Sequence, residues 1–155
     1  MRDRICFVCS GNTCRSPMAE ALCRQAVSRR KTFPYKIESA GISALVGQPA
    51  SEAAVAVLRQ KKIDLSAHRT RPLTQELATH VRAMFVMTHF HREWVRAHIE
   101  TISPGDVYLF GDAQFLPTAV EIHDPIGEGN SGYGSVVRQM EEILPSLVHF
   151  IETRL

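Results

Sequence analysis

Hydrophobic and polar positions alternate in blocks along the chain. A continuous apolar run, Ile5-Cys6-Phe7-Val8, reads as a strand over about residues 4–8 and leads into a polar, glycine-containing stretch. Pro17 then sits naturally at a helix start, and Met18, Leu22 and Val27 give that helix an apolar stripe to about Arg30. Beyond Pro34, Tyr35 to Ser39 alternates as a second strand, and Ala40-Gly41 turns the chain away. Ser51 and Glu52 open a helix whose Val55, Leu58 and Lys62 spacing runs to about Ile63, and Thr74 to Leu77 forms a short capped helix. Ala83-Met84-Phe85-Val86-Met87 has the length and unbroken apolarity of a parallel strand covered on both faces.

A helix over about Thr88 to His98 follows, then a fourth strand, Asp106 to Phe110, and an irregular link from Phe115 to Ile122. Val136, Met140, Ile143, Leu147 and Ile151 put one face on a last helix from about Tyr133 to Thr153. Strands alternating with helices imply right-handed crossovers and a parallel sheet with helices on both faces.

Composition narrows this to one domain over residues 1–155, since 45% hydrophobic and 22% charged residues fit a single compact core. The net charge of +2 arises from scattered basic residues, which marks no nucleic-acid surface. No apolar stretch reaches membrane-span length and no signal-peptide pattern opens the chain, so a cytoplasmic location without membrane partners is expected. The four cysteines, Cys6, Cys9, Cys14 and Cys23, crowd into one N-terminal segment, a poor disulfide framework, and are expected as thiols. Cys6 and Cys9 spell C-x-x-C, but residues three apart on a strand face opposite ways and no second ligand pair follows. No metal or cofactor is expected, and Cys6 and Cys23 read as small core residues.

The candidate chemistry lies in Cys9-Ser10-Gly11-Asn12-Thr13-Cys14-Arg15-Ser16-Pro17, at a strand–loop–helix junction. The first N–H groups of a helix lack intrahelical partners and the dipole makes them electropositive, so a phosphate fits there. Gly11 and Asn12 tolerate the backbone conformations that turn successive amides inward as a cradle. The loop lacks the Gly-Lys-Ser/Thr ending of a nucleotide-binding loop. Instead Cys9 opens it and Arg15 closes it, placing a nucleophilic sulfur beneath a phosphate whose oxygens the guanidinium fork can grip. A buried strand-end cysteine before an ordinary helix is the alternative, which the flanking Gly11, Asn12, Ser16 and Pro17 disfavour.

Attack by a thiolate expels a leaving group that needs a proton. Asp124, in His123-Asp124-Pro125-Ile126-Gly127, is the candidate acid, because Pro125 stiffens a loop with no other structural task. Asp64, Asp106 and Asp112 read as caps or turns, His89 and His91 as capping or surface residues, and Trp94 as core.

From Cys9 to Glu20, in Ser39-Ala40-Gly41, in Met87-Thr88 and in Asp124-Pro125, the sequence resembles the low-molecular-weight protein phosphatases over nearly its whole length. The resemblance implies a three-layer α/β sandwich with a four-stranded parallel sheet of order 2-1-3-4. It implies Cys9 as nucleophile, Arg15 as phosphate and transition-state ligand, and Asp124 as acid. Ser10, Gly11, Asn12, Thr13, Cys14 and Ser16 would line the phosphate site, with Ser16 assisting departure of the Cys9 thiolate and His68 a loop-supporting histidine. Phosphorylated proteins would be the partners.

Thr13 replaces the bulky aliphatic residue usual in the tyrosine phosphatases, and Asn12 to Arg15 with Met87-Thr88-His89-x-His91 resembles the bacterial arginine phosphatases. A hydroxyl at Thr13 keeps the pocket polar and suited to a guanidinium phosphate, so phosphoarginine is favoured over phosphotyrosine. Ile126 departs from the aromatic residue that both branches often carry and is a second selectivity position. The arsenate reductase branch relays electrons through downstream cysteines, and none follows Cys23 here. Cys14 is a candidate partner for Cys9 in a reversible disulfide.

Overall fold

The computed structural model describes residues 1–155. Strands β1 (Arg4–Cys9), β2 (Lys36–Gly41), β3 (Val81–Val86) and β4 (Val107–Leu109) alternate with helices α1 (Arg15–Val27), α2 (Glu52–Arg59), α3 (Gln75–Ala78), α4 (His89–His98) and α5 (Gly129–Arg154). All strand pairs are parallel and the order is β2-β1-β3-β4, as the family resemblance implies. β1, which carries Cys9, is therefore central, and its register sets Cys9 opposite Gly41 and Val8 opposite Val86.

Side-chain alternation along β1 builds the three layers. Ile5, Phe7 and Cys9 face a core shared with α1, α2 and α5, whereas Cys6 and Val8 face a smaller core with Leu73, Ala78 and Val95. Cys6 and Cys9 thus lie on opposite faces of the sheet, and Cys6 and Cys23 are fully buried. Burial pushes the Cys6 thiol up and that of Cys23 up to about 12, so neither acts as a thiolate.

Several boundaries differ from the sequence reading. The first helix starts at Arg15, two residues before Pro17, and ends at Val27 rather than near Arg30. α2 stops at Arg59, short of Ile63, because Lys62 takes a left-handed conformation (φ 61°) that returns the Ile63 amide to the Leu58 carbonyl. The last helix begins at Gly129, earlier than Tyr133, and β4 has only three residues. Trp94 is half-buried, packed against the edge of the smaller core and stacked on the His98 ring at 4.4 Å. No helix is long and apolar enough to cross a membrane.

Candidate active site

The segment from Ser10 to Cys14 crosses the carboxyl ends of the strands, where parallel α/β sheets place their ligands. Gly41 lets β2 come close beneath it. A Cβ there would lie 2.4 Å from the Ser10 carbonyl oxygen and 3.0 Å from the Asn12 nitrogen. Five of the six loop carbonyls from Cys9 to Cys14, all but that of Gly11, are engaged: Cys9 and Ser10 accept from the Ile42 and Ser43 amides, Thr13 from Ser51, Cys14 from Met18, and Asn12 from His68 Nε2 at 2.8 Å. The backbone amides from Ser10 to Cys14, by contrast, donate to no protein acceptor. Asn12 supplies the left-handed step (φ 58°) within this run. α1 adds to the electropositive site, since Cys14 gives no side-chain cap and no acidic residue stands in its first turn, whereas Ser51, Thr74 and Thr88 cap α2, α3 and α4. Pinned carbonyls, unpaired amides and an uncapped helix start make an anion nest.

Cys9 lies at its base, 2% exposed, with its sulfur 2.9 Å from Ser16 Oγ. The direction of that contact follows from its neighbours. Asn12 Nδ2 can only donate, and it reaches Ser16 Oγ at 2.8 Å and Ser39 Oγ at 3.0 Å. Ser39 passes its own hydrogen to Glu20 Oε1 at 2.7 Å, and Ser16 is left to donate to the sulfur, its other acceptor, the Ala40 carbonyl, being 3.4 Å away. A hydroxyl donating to sulfur favours thiolate over thiol. Asn12 itself is wholly buried and its Oδ1 accepts from the Arg71 amide at 3.0 Å, so one side chain ties the loop to β2 and to residue 71.

Arg15 is 5% exposed; its Nη1 donates to the Ile122 carbonyl at 3.0 Å, while its buried Nε has no protein partner. An oxyanion would satisfy that donor. Asp124 reaches the same guanidinium, Oδ2 standing 3.8 Å from Arg15 Nη2, and Oδ1 accepts from the Ile126 amide at 3.1 Å, an Asx turn that orients the carboxylate. The structure therefore pairs Cys9 with Ser16 and Arg15 with Asp124. Thr13 is half-buried on the loop, and Ile126 is 64% exposed beside Asp124. Cys14 is buried beneath the loop, and burial with the neighbouring Cys9 pushes its thiol up to about 11. Tyr133 is buried beside it and accepts from Ser51 Oγ at 3.4 Å.

His91 is a correction. It is 2% exposed, not a surface residue, and its Nε2 contacts Ser10 Oγ at 2.9 Å. Burial, then the Arg15 charge, lowers its pKa to about 4. His89 stays exposed, its amide donating to Glu121. Asp112 accepts from the Leu109 and Gln114 amides and so serves a turn. Arg71 and Tyr133 had no signal of their own in the sequence, because each joins the site through partners distant along the chain, and Ser39 was marked only as part of the Ser39-Ala40-Gly41 turn. A cavity of about 1090 Å³ lies elsewhere, between α1, the free edge of β2 and residues 62–71, and reaches the loop through His68 and Arg71. No group of three or more His, Cys, Asp or Glu side chains converges in metal-binding geometry.

The sequence model described as low molecular weight phosphotyrosine protein phosphatase matches residues 4–154. A protein-arginine-phosphatase of Geobacillus stearothermophilus is 36% identical over 99% of both chains. A probable low molecular weight protein-tyrosine-phosphatase, EpsP, of Ralstonia solanacearum is 38% identical over 81% of this chain and 79% of its own. Among solved structures, a cysteine-to-serine mutant of the YwlE arginine phosphatase with a phosphorylated active-site serine superposes with a TM-score of 0.89 at 30% identity, covering 97% of each chain.

Proposed function

The chain belongs to the low-molecular-weight protein phosphatase family and is a phosphatase of that class, and we propose that it hydrolyses phosphorylated protein side chains through a phosphocysteine, with phosphoarginine favoured. In this reading the loop amides and Arg15 hold the phosphoryl oxygens, and the Cys9 thiolate attacks phosphorus in line. The N–P or O–P bond breaks as Asp124 protonates the departing nitrogen or oxygen. Water then attacks the phosphocysteine and yields its proton to Asp124, and the Cys9 thiolate departs with Ser16 donating to it. The charge that builds on the equatorial oxygens meets donors already in place.

The observation that carries the reading is the Cys9–Ser16–Asn12 chain, which directs a hydrogen at the sulfur, set under an amide nest that Arg15 closes. The phosphorylated active-site serine in the YwlE relative supports a covalent phosphoenzyme. Thr13, whose hydroxyl keeps the pocket polar, and the end-to-end similarity to the Geobacillus arginine phosphatase support phosphoarginine. Phosphotyrosine is the second reading, favoured by the EpsP similarity. A cytoplasmic location accompanies the proposal, supported by four free thiols.

Turnover on matched phosphoarginine and phosphotyrosine peptides, for wild type and Thr13→Ile, tests the preference. Wild type should favour phosphoarginine, and the substitution should shift preference toward phosphotyrosine. A wild type that already prefers phosphotyrosine defeats the arginine assignment.

A further inference from the structure

The loop is tied to the fold on two flanks. Toward β2 the tie is Asn12; toward β3 and α4 it is Ser10, whose hydroxyl meets His91. His91 stands in the first turn of α4, and its two ring nitrogens have one partner each: Nε2 with Ser10 Oγ at 2.9 Å, Nδ1 with Thr88 Oγ1 at 3.0 Å.

Counting hydrogens fixes which way these bonds run. Thr88 Oγ1 caps α4 by accepting from the His91 amide at 3.2 Å, and the one acceptor beside its own hydrogen is Nδ1. A neutral imidazole whose Nδ1 accepts carries its hydrogen on Nε2, which then donates to Ser10 Oγ. The Ser10 hydrogen is left with no protein acceptor, one residue from the nucleophile, in the run of amides that likewise donate to nothing in the protein. In the opposite tautomer Nδ1–H would point at Thr88, stranding the Thr88 hydroxyl hydrogen in a half-buried place and turning the Ser10 hydrogen into the ring.

We propose that His91 is a positioning residue that holds the Ser10 hydroxyl as a hydrogen-bond donor to the phosphoryl group in the loop. The assignment rests on the phosphatase reading above and extends its donor set from the backbone amides and Arg15 to a side chain aimed from α4. Burial against Arg15 serves the same end, because an imidazole kept neutral has a free Nδ1 lone pair for Thr88 and therefore a defined tautomer.

Two measurements test it. In wild-type protein with inorganic phosphate bound, ¹⁵N-correlated NMR of the His91 ring should report the Nε2–H tautomer; the Nδ1–H tautomer overturns the proposal, and this result needs no variant to fold. In kinetics, His91→Leu should lower kcat/KM and weaken inhibition by inorganic phosphate by about tenfold, the worth of one hydrogen bond to a charged group. His91→Gln, whose amide can still donate to Ser10, should restore most of both. Adding Ser10→Ala to His91→Leu should cost no more than about twofold further, because both changes remove one interaction. A His91→Leu enzyme that loses thermal stability but keeps its kcat/KM and phosphate inhibition shows a purely structural histidine and contradicts the assignment. Wild-type protein that turns over neither phosphopeptides nor p-nitrophenyl phosphate would instead sink the phosphatase reading itself, whichever tautomer is seen.

Discussion

Asp124 Oδ2 stands 3.8 Å from Arg15 Nη2, so the candidate acid and the phosphate-binding guanidinium meet at one edge of the loop although they come from opposite ends of the chain. The Asp124 side chain keeps 47% of its surface exposed, open to a leaving group and to water, while that of Arg15 keeps 6%. One partner is fixed and the other reaches solvent.

That geometry predicts a leaving-group signature. Asp124→Asn should reduce turnover of phosphoarginine or phosphotyrosine peptides by about 10²–10⁴-fold, the usual worth of general acid catalysis. In kcat/KM, which covers the steps up to phosphocysteine formation, the loss on p-nitrophenyl phosphate should be far smaller, because nitrophenolate departs without a proton. Equal losses of kcat/KM on all substrates would assign Asp124 to binding rather than to protonation of the leaving group.

Asn12 predicts a split between backbone and side-chain effects. It is buried, left-handed, and bonded to Ser16, Ser39, Arg71 and His68. Asn12→Ala removes the side-chain bonds and forces a Cβ residue into positive φ, for a loss of about 2–4 kcal/mol in denaturant unfolding. Asn12→Gly loses the same bonds without the left-handed penalty and should be less destabilising than Ala by about 1 kcal/mol. Activity should fall in both, because Ser16 loses the donor that points its hydrogen at Cys9.

His91 predicts a pH dependence of stability. Its pKa falls from 6.5 to about 4 on folding, under burial and the Arg15 charge, with Glu121 and Asp124 opposing. Between those values the unfolded chain binds more protons than the folded one, so stability is lost as pH falls from 6.5 toward 4 and levels off below. Thermal melts across this window should show a steeper decline for wild type than for His91→Gln. Parallel curves would mean that the imidazole titrates alike in both states.

The outline of this site was legible in the sequence because its parts are local: an apolar strand, a short loop with Gly11 and Asn12, and a helix carrying Arg15 and Ser16. Periodicity likewise resolved the alternating strands and helices, and Thr74 marked its helix through its cap. His91 was not legible. It lies two residues from exposed His89, so helical spacing alone separates a buried ring from a solvated one, and its partner Ser10 is 81 residues away. The early end of α2 escaped for a different reason, since Lys62 adopts a left-handed turn that favours glycine and no glycine announces it. Trp94 is read only in part, since its ring packs against the edge of the smaller core and also stacks on His98.

Cys14 predicts a redox response. It lies buried beneath the loop as a thiol, five residues after Cys9 in the chain. Mild peroxide should oxidise Cys9 to the sulfenic acid, and condensation with the Cys14 thiol should release water and form a disulfide. Intact-mass analysis should then find the loss of two hydrogens in wild type and over-oxidised Cys9 in Cys14→Ser. Identical products from the two proteins would leave Cys14 a packing residue.

The central claim is that Cys9 carries the phosphoryl group between two chemical steps. Rapid acid quench of wild type during turnover of a phosphopeptide, followed by peptide mass mapping, tests it directly. A single phosphoryl group on Cys9, absent at residue 9 of Cys9→Ala and enriched in Ser16→Ala as thiolate departure slows, is the expected result. Sustained phosphate release from Cys9→Ser, or quenched wild-type enzyme that never bears phosphate on Cys9 while turning over and while Ser16→Ala accumulates none, would contradict it.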